Sequence, residues 1–298
     1  MISSALKIVL LGNVEFSKSM LIHLKQNNFN IVGVLTKSSS VFNADFCNLG
    51  PVAENYDIPY NYFTDINSDC IRDWLISKEP DLIICVGISQ LLKNSILIIP
   101  NIGTIGFHPS KLPHNRGRHP IIWALAMGHN EIGSTFFLMN EDADAGPILS
   151  QKIVKISKND YAYDLQYKVT ECAKSQIISV LENIESKIPT LIPQVKNGNS
   201  WRKRSKRDGA IDWRMSAMSI RNLVRALSRP YPGASFFYRD SEYHIWKADI
   251  IETDAINSEP GKILQVQSGT EFVVACGYQC LQVLDVDPPI DLEQGDYL

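Results

Sequence analysis

The chain has 298 residues, 45% of them apolar and 20% charged, which is the balance of a soluble globular protein with length for two domains. A formal net charge of −3 argues against a surface devoted to nucleic acid or to an anionic membrane. The six cysteines, Cys47, Cys70, Cys85, Cys172, Cys276 and Cys280, form no CxxC pair and no zinc-ligand spacing, so they read as reduced thiols of a cytoplasmic protein that needs no metal.

"KIVLL" (Lys7–Leu11) is a continuous apolar run stopped by Gly12, the pattern of a strand buried on both faces of a parallel sheet. The run is too short to span a membrane and lacks the charged start and cleavage site of a signal peptide. Phe16, Met20, Leu21 and Leu24 recur at helical spacing and predict a helix from Glu15 to Gln26; "NIVGVLT" (Asn30–Thr36) predicts a second strand. Lys37 to Asn61 reads as irregular, and Asp65 to Ile76 as a short helix. "DLIICVG" (Asp81–Gly87) and "GTIGFH" (Gly103–His108) are two further buried strands. Strands alternating with helices predict an α/β fold with a Rossmann-like, mostly parallel sheet, in which ligands collect outside the carboxyl ends of the strands. Val86, Gly87, Ile88 and His108 stand at such ends. "LGNVEF" after the first strand is not GxGxxG, so a dinucleotide fingerprint is missing.

A helix is expected after Pro120, then strands at "GSTFFLMN" (Gly133–Asn140) and "PILSQKIVKI", then a long helix over Asp160–Ile184 with Leu165, Val169, Cys172, Ile177, Leu181 and Ile184 on one stripe. Turn formers Pro189, Pro193, Asn197, Gly198, Asn199 and Ser200 follow, and Arg202–Arg207 then packs five basic residues into six positions. This places a catalytic domain at 1–190, a linker at 191–208 and a smaller domain at 209–298. The last domain opens on an amphipathic helix, Ser216–Ser228, stopped by "RPYPG", and continues as short strands that suggest a small β-barrel.

Two places carry candidate chemistry. His108 is a titratable base at the ligand end of the sheet, inside the stiff, polar stretch "HPSKLPHNRGRHP". "NEDADAGPIL" (Asn140–Leu149) places Glu141, Asp142 and Asp144 in a Gly-containing loop. A carboxylate from this loop beside His108 would fix its tautomer and stabilise its charged form. The loop lacks the D-x-[DN]-x-[DN]-G spacing of a calcium loop.

Taken together, "FHPSKLPHNRGRHPIIWAL", "GSTFFLM" and "DADAGPIL" resemble the formyltransferase family, and "DGAIDWRMSAMSIRNLVRAL" with "RPYPGA" resembles the carboxyl-terminal, OB-like module of its tRNA and nucleotide-sugar members. The resemblance implies formyl transfer from N10-formyltetrahydrofolate to an amine. It assigns His108 and Asp144 as catalytic residues. It places the pterin of the folate against the backbone of Val86, Gly87, Ile88 and Leu91 and the loop holding Met139 and Asp142, with Ser110, Lys111, Leu112 and Pro113 lining the folate. The family has an Asn two residues before the histidine, expected to stabilise the forming oxyanion; this chain has Gly106 there. Loss of such a donor costs about 10²–10³ in rate. The oxyanion donor is therefore expected to be protonated His108, a water or another side chain, and the glycine to leave room for a water or a larger substrate group.

The amine is expected to sit on a nucleotide-linked amino-deoxy sugar of the kind destined for surface polysaccharide. The tRNA members carry a basic insertion after the second strand, whereas "KSSSVFNADFCNLGPVAENYD" holds Lys37 and no Arg, and phosphate contacts dominate nucleic-acid affinity. Arg116, Arg118 and Arg204 are the candidates for holding the substrate's sugar and diphosphate. The alternatives are a methionyl-tRNA formyltransferase, or a binding protein impaired at Gly106. Members of the family often pair as homodimers, though nothing in this sequence specifies such an interface, and the net charge of −3 argues for no membrane partner.

Overall fold

The computed structural model describes residues 5–40, 44–187, 189–252 and 257–298. It forms two compact units. The first comprises Met1–Gly117, Gly133–Val154 and Lys168–Ser200; the second comprises Arg118–Ile132, Lys155–Tyr167 and Trp201–Leu298.

The first unit is built on a seven-stranded sheet. Its strands are β1 (Ile8–Leu11), β2 (Ile31–Thr36), β3 (Tyr60–Tyr62), β4 (Leu82–Cys85), β5 (Gly103–His108), β6 (Glu131–Leu138) and β7 (Ile148–Lys155), in spatial order β3-β2-β1-β4-β5-β6-β7. Neighbours are parallel from β3 to β5, and β6 runs antiparallel to β5. The unbroken apolar run of β1 has its reason in two layers. Ile8 and Leu10 pack with Met20, Leu21 and Leu24 of helix α1 (Glu15–Gln26), while Val9 and Leu11 pack on the opposite face. That second layer holds Leu75 of α3 (Asp69–Ser77) and Ile96 of α4 (Asn94–Leu97).

The stretch read as irregular contains α2 (Gly50–Asn55) and the edge strand β3. Pro51 starts this helix at a position where its missing N–H costs nothing, but six residues are too few to show a periodic stripe. Residues 41–43 of that stretch lie outside the described residues. The long helix α6 spans Ala162–Glu185. Its buried face runs through Val169, Ala173, Ile177 and Leu181; Cys172, expected on the stripe, is only half-buried, and Ala173 takes its place.

The second unit is centred on a five-stranded antiparallel sheet. Its strands are β8 (Ala234–Tyr238), β9 (Ser241–Ile251), β10 (Ile263–Val266), β11 (Phe272–Ala275) and β12 (Cys280–Asp287), in the order β8-β9-β12-β11-β10. Helix α7 (Ala217–Leu227) starts at Ser216, whose hydroxyl accepts the Ser219 N–H at 3.1 Å, and it packs on β9. Helix α5 (Pro120–Ala126) packs on α7. Among the described residues no helix is long and apolar enough to cross a membrane.

Candidate active site

His108 closes β5 at the carboxyl edge of the parallel strands and is 5% exposed. Its ring is held from one side. Nε2 lies 2.9 Å from the carbonyl oxygen of Asn115. A carbonyl only accepts, so Nε2 carries the proton of the neutral ring and Nδ1 presents its lone pair. Nδ1 faces Asp144 Oδ2 at 3.7 Å. At that distance the carboxylate is no hydrogen-bond partner of a neutral ring, but it becomes an ion-pair partner once Nδ1 is protonated. The pair is therefore fitted to take up one proton at Nδ1.

The stretch between His108 and Gly117 is fastened along its length. Ser110 Oγ donates to the His114 carbonyl at 2.9 Å, and Thr135 Oγ1 donates to the Ser110 carbonyl at 2.6 Å. Gly133 on β6 is what lets the Ser110 backbone lie this close, because a Cβ at 133 would collide with it. Asn115 has a φ of +62° and is tied to Asn199 by two hydrogen bonds of 3.0 Å, N–H to Oδ1 and Nδ2 to Oδ1. So the carbonyl that orients His108 is itself fixed by a residue 84 positions away.

Asp144 has a φ of +55°, in the left-handed region, and its side chain is 21% exposed. Its Oδ2 accepts the Gly117 N–H at 3.0 Å. Gln194 spans the same turn: Nε2 donates to the carbonyls of Asp144 at 2.9 Å and Gly146 at 2.7 Å. Asn115, Gly117, Gln194 and Asn199 were not legible as site residues. Gln194 and Asn199 lie in a stretch of turn formers with no periodicity, and nothing local marks a lone amide there.

Gly106 pairs with Phe137 across β5 and β6. A Cβ at 106 would sit 2.7 Å from Phe137 Cζ and 2.9 Å from Met139 Cγ. This corrects the expectation that glycine leaves room for a water or a larger substrate group. The space is filled by the Phe137 ring and the Met139 side chain, which pack with Leu112 and Ile148.

The residues expected to line the folate separate into groups. Met139 and Asp142 border an open depression of about 450 Å³, together with Asn94, Leu97, Ile98, Asn140 and Glu141. Asn94, Leu97 and Ile98 were missed, because a four-residue helix has no sequence period to read. Ile88 packs in one apolar cluster with Leu97 and Met139. Val86 is buried and its carbonyl accepts Ser17 Oγ at 2.7 Å; Gly87 has a φ of +72°, and Leu91 is exposed. Ser110 and Leu112 are buried, Pro113 is half-buried and Lys111 exposed.

Of the three arginines, Arg116 belongs to the first unit, where Nε and Nη2 donate to Gln194 Oε1 at 3.2 and 2.6 Å. Arg118 and Arg204 belong to the second unit. Arg204 stacks on Trp123 with its Cζ 4.7 Å from the ring centroid, and burial lowers its pKa. Arg118, Lys203 and Arg204 surround half-buried His119. Burial first, then these three cations, hold its pKa below the ordinary 6.5. Among the described residues no group of three or more His, Cys, Asp or Glu side chains is placed to hold a metal ion.

A base at the carboxyl edge of a mostly parallel sheet, with a carboxylate facing its free nitrogen, is the equipment of an α/β enzyme that moves a proton during group transfer. The chain belongs to the formyl transferase family: the family's sequence profile, described as Formyl transferase, matches residues 6–181, and that described as Formyl transferase, C-terminal domain, matches residues 203–292. Solved structures share the fold at low identity. The sugar 3N-formyl transferase WlaRD, determined in the presence of dTDP and 5-N-formyl-THF, is 18% identical, with 94% of this chain and 98% of that chain covered and a TM-score of 0.67. An N-formyltransferase from Helicobacter canadensis, in complex with folinic acid and dTDP-3-aminofucose, is 14% identical, with 94% and 99% covered and a TM-score of 0.69. HypX from Aquifex aeolicus is 20% identical with a TM-score of 0.66; the match covers 94% of this chain but only 44% of HypX.

Proposed function

We propose that the chain transfers the formyl group of N10-formyltetrahydrofolate to the amine of a nucleotide-linked amino-deoxy sugar. The observation that carries the chemistry is the His108 Nδ1 lone pair facing Asp144 at 3.7 Å. The neutral substrate amine attacks the formyl carbon, His108 Nδ1 takes the proton that the amine must lose, and Asp144 stabilises the imidazolium so formed. The same imidazolium supplies positive charge to the forming oxyanion, in place of the side chain that Gly106 lacks. His108 then returns the proton to the folate nitrogen as the tetrahedral intermediate collapses and tetrahydrofolate leaves.

The depression bordered by Met139 and Asp142 fits the folate in size, since small-molecule sites run to roughly 300–1,000 Å³. The catalytic residues fall in the proposed 1–190 domain. Arg118 and Arg204 of the second unit, with Lys203, suit a diphosphate. The sugar reading draws support from similarity over 94% of this chain to a sugar 3N-formyl transferase and to an N-formyltransferase in complex with dTDP-3-aminofucose.

The test is a formyl-transfer assay with N10-formyltetrahydrofolate and a panel of UDP- and dTDP-linked amino sugars beside initiator methionyl-tRNA, with products identified by mass. Transfer to an amino sugar that is lost in His108→Ala supports the proposal. Transfer to tRNA alone overturns it.

A further inference from the structure

We infer that Gln194 is a positioning residue for the catalytic aspartate, holding Asp144 where its carboxylate meets His108. This rests on the reading of His108 and Asp144 as the proton-transfer pair, and it names a residue outside the loops that carry them.

Every hydrogen-bonding group of the Gln194 amide is committed. Both N–H bonds of Nε2 are spent on backbone carbonyls of one turn, Asp144 at 2.9 Å and Gly146 at 2.7 Å. Its Oε1 accepts from Arg116 Nε at 3.2 Å and Nη2 at 2.6 Å, which leaves the amide one orientation. Pairing puts Gln194 there: Ile148 and Ile192 exchange N–H to carbonyl bonds of 2.8 and 2.9 Å, so the residue two beyond Ile192 comes opposite the residue two before Ile148, which is Gly146.

The turn needs such a clamp. Asp144 is a non-glycine residue at a φ of +55°, a conformation that Asp adopts more readily than most residues but keeps only where its surroundings fix it. At Gly146 the chain passes so close to the Leu138 carbonyl that a Cβ would collide with it. Gln194 grips the turn at both carbonyls, while the Gly117 N–H at 3.0 Å holds the carboxylate itself. Removing the two donors frees the peptide that aims the Asp144 side chain.

The experiment uses the full chain and two variants. Gln194→Met keeps length and bulk but cannot donate. Gln194→Glu keeps the acceptor for Arg116 but turns oxygens toward the two carbonyls. Each is made alone and in an Asp144→Asn background. Hydrogen exchange at the Gly117 amide, which needs no substrate, is expected to quicken in both single variants. With the amine that the wild type formylates, kcat is expected to fall about tenfold to a hundredfold, the size of a small misplacement of a catalytic group. The KM for the formyl donor should change little. In the Asp144→Asn background the same substitutions should cost almost nothing further, because their effect runs through the missing carboxylate.

Unchanged Gly117 exchange overturns the inference. So does an equal loss of kcat in both backgrounds, which marks a general structural role, or full activity in Gln194→Glu, which leaves Arg116 anchoring as the only role. If the wild type formylates no amino sugar, the substrate reading fails, while the exchange result still decides the role of Gln194.

Discussion

At the scale of single residues, the proposed chemistry rests on two atoms, His108 Nδ1 and Asp144 Oδ2, 3.7 Å apart. His108→Ala is expected to lower kcat by about 10²–10⁴, the usual worth of a general acid–base group. Asp144→Asn should cost less, about tenfold to a hundredfold, because the base remains and only the stabilisation of its charged form is lost. Asparagine tolerates the positive φ of position 144, so this variant should fold normally. Steady-state kinetics with N10-formyltetrahydrofolate checks both. Gly106→Asn makes a sharper prediction. It restores the side chain that the family carries, yet Phe137 and Met139 stand where that side chain would go. Overpacking of this kind costs about 1–3 kcal/mol, so the variant should melt several degrees lower and gain no rate. A thermal melt with a kinetic assay tests this; a faster enzyme would mean that the packing around 106 yields easily. That His108 and Asp144 could meet was legible because they stand in motifs at a strand end and in a glycine-containing loop. The groups that aim them were not, since Asn115 and Gly117 act through backbone atoms, which no sequence pattern records.

At the scale of elements, helix α7 shows how buried charge is used for fastening. Arg225 is 5% exposed and donates to the carbonyls of Asp160 at 2.8 Å and Ser157 at 2.9 Å, and to Asn222 Oδ1 at 2.9 Å. Neighbouring Arg221 donates to Asp249 Oδ1 at 2.9 Å and the Lys158 carbonyl at 3.0 Å. One helix face therefore ties down the segment between β7 and α6 by its backbone. Arg225→Met keeps the apolar stem but strands two buried acceptors, the Asp160 carbonyl and Asn222 Oδ1. Each unpaired buried group costs about 1–3 kcal/mol, so a loss of about 2–5 kcal/mol is expected in chemical denaturation. A loss under about 0.5 kcal/mol, the range of ordinary surface changes, would contradict this account. The stripe of α7 and the runs of β1, β4 and β5 were readable because burial on a helix face or on both faces of a sheet leaves a regular pattern. Helices α2 and α4 and strand β3 left none. They are only six, four and three residues long, and their neighbours, more than their own period, hold them.

At the scale of the whole molecule, several titratable groups act in the same direction on acidification. Hydrogen bonds from Arg214 draw Asp212 down to about 2, and Arg202 holds Asp208 well below its ordinary 3.8. Carboxylates with lowered pKa stabilise the fold above their unfolded value, and that contribution is lost as pH falls through the folded value. His119 adds a higher step. Its folded pKa lies below 6.5, so the unfolded chain binds more protons and stability falls as pH drops below about 6.5. Lys262 has the opposite arrangement: its hydrogen bonds to Tyr297 and Glu259 raise its pKa above 10.5, so its contribution fades only in alkali. The melting temperature should therefore plateau between roughly pH 7 and 9 and decline in two stages below it; above it stability falls again, because burial pushes the Cys85 and Cys276 thiols up and the unfolded thiols ionise first. His119→Gln should remove the first stage and keep the second. The same histidine reports on the substrate. Burial is the main cause of its lowered pKa, but Arg118, Arg204 and Lys203 contribute. A nucleoside diphosphate seated among those cations would offset their repulsion and leave the burial effect, so the His119 pKa should rise part of the way back toward 6.5. An NMR titration of the His119 ring with and without dTDP or UDP measures this directly. A rise with either nucleotide supports the diphosphate role of the cluster, and an unmoved titration in the presence of bound nucleotide assigns the diphosphate to other residues.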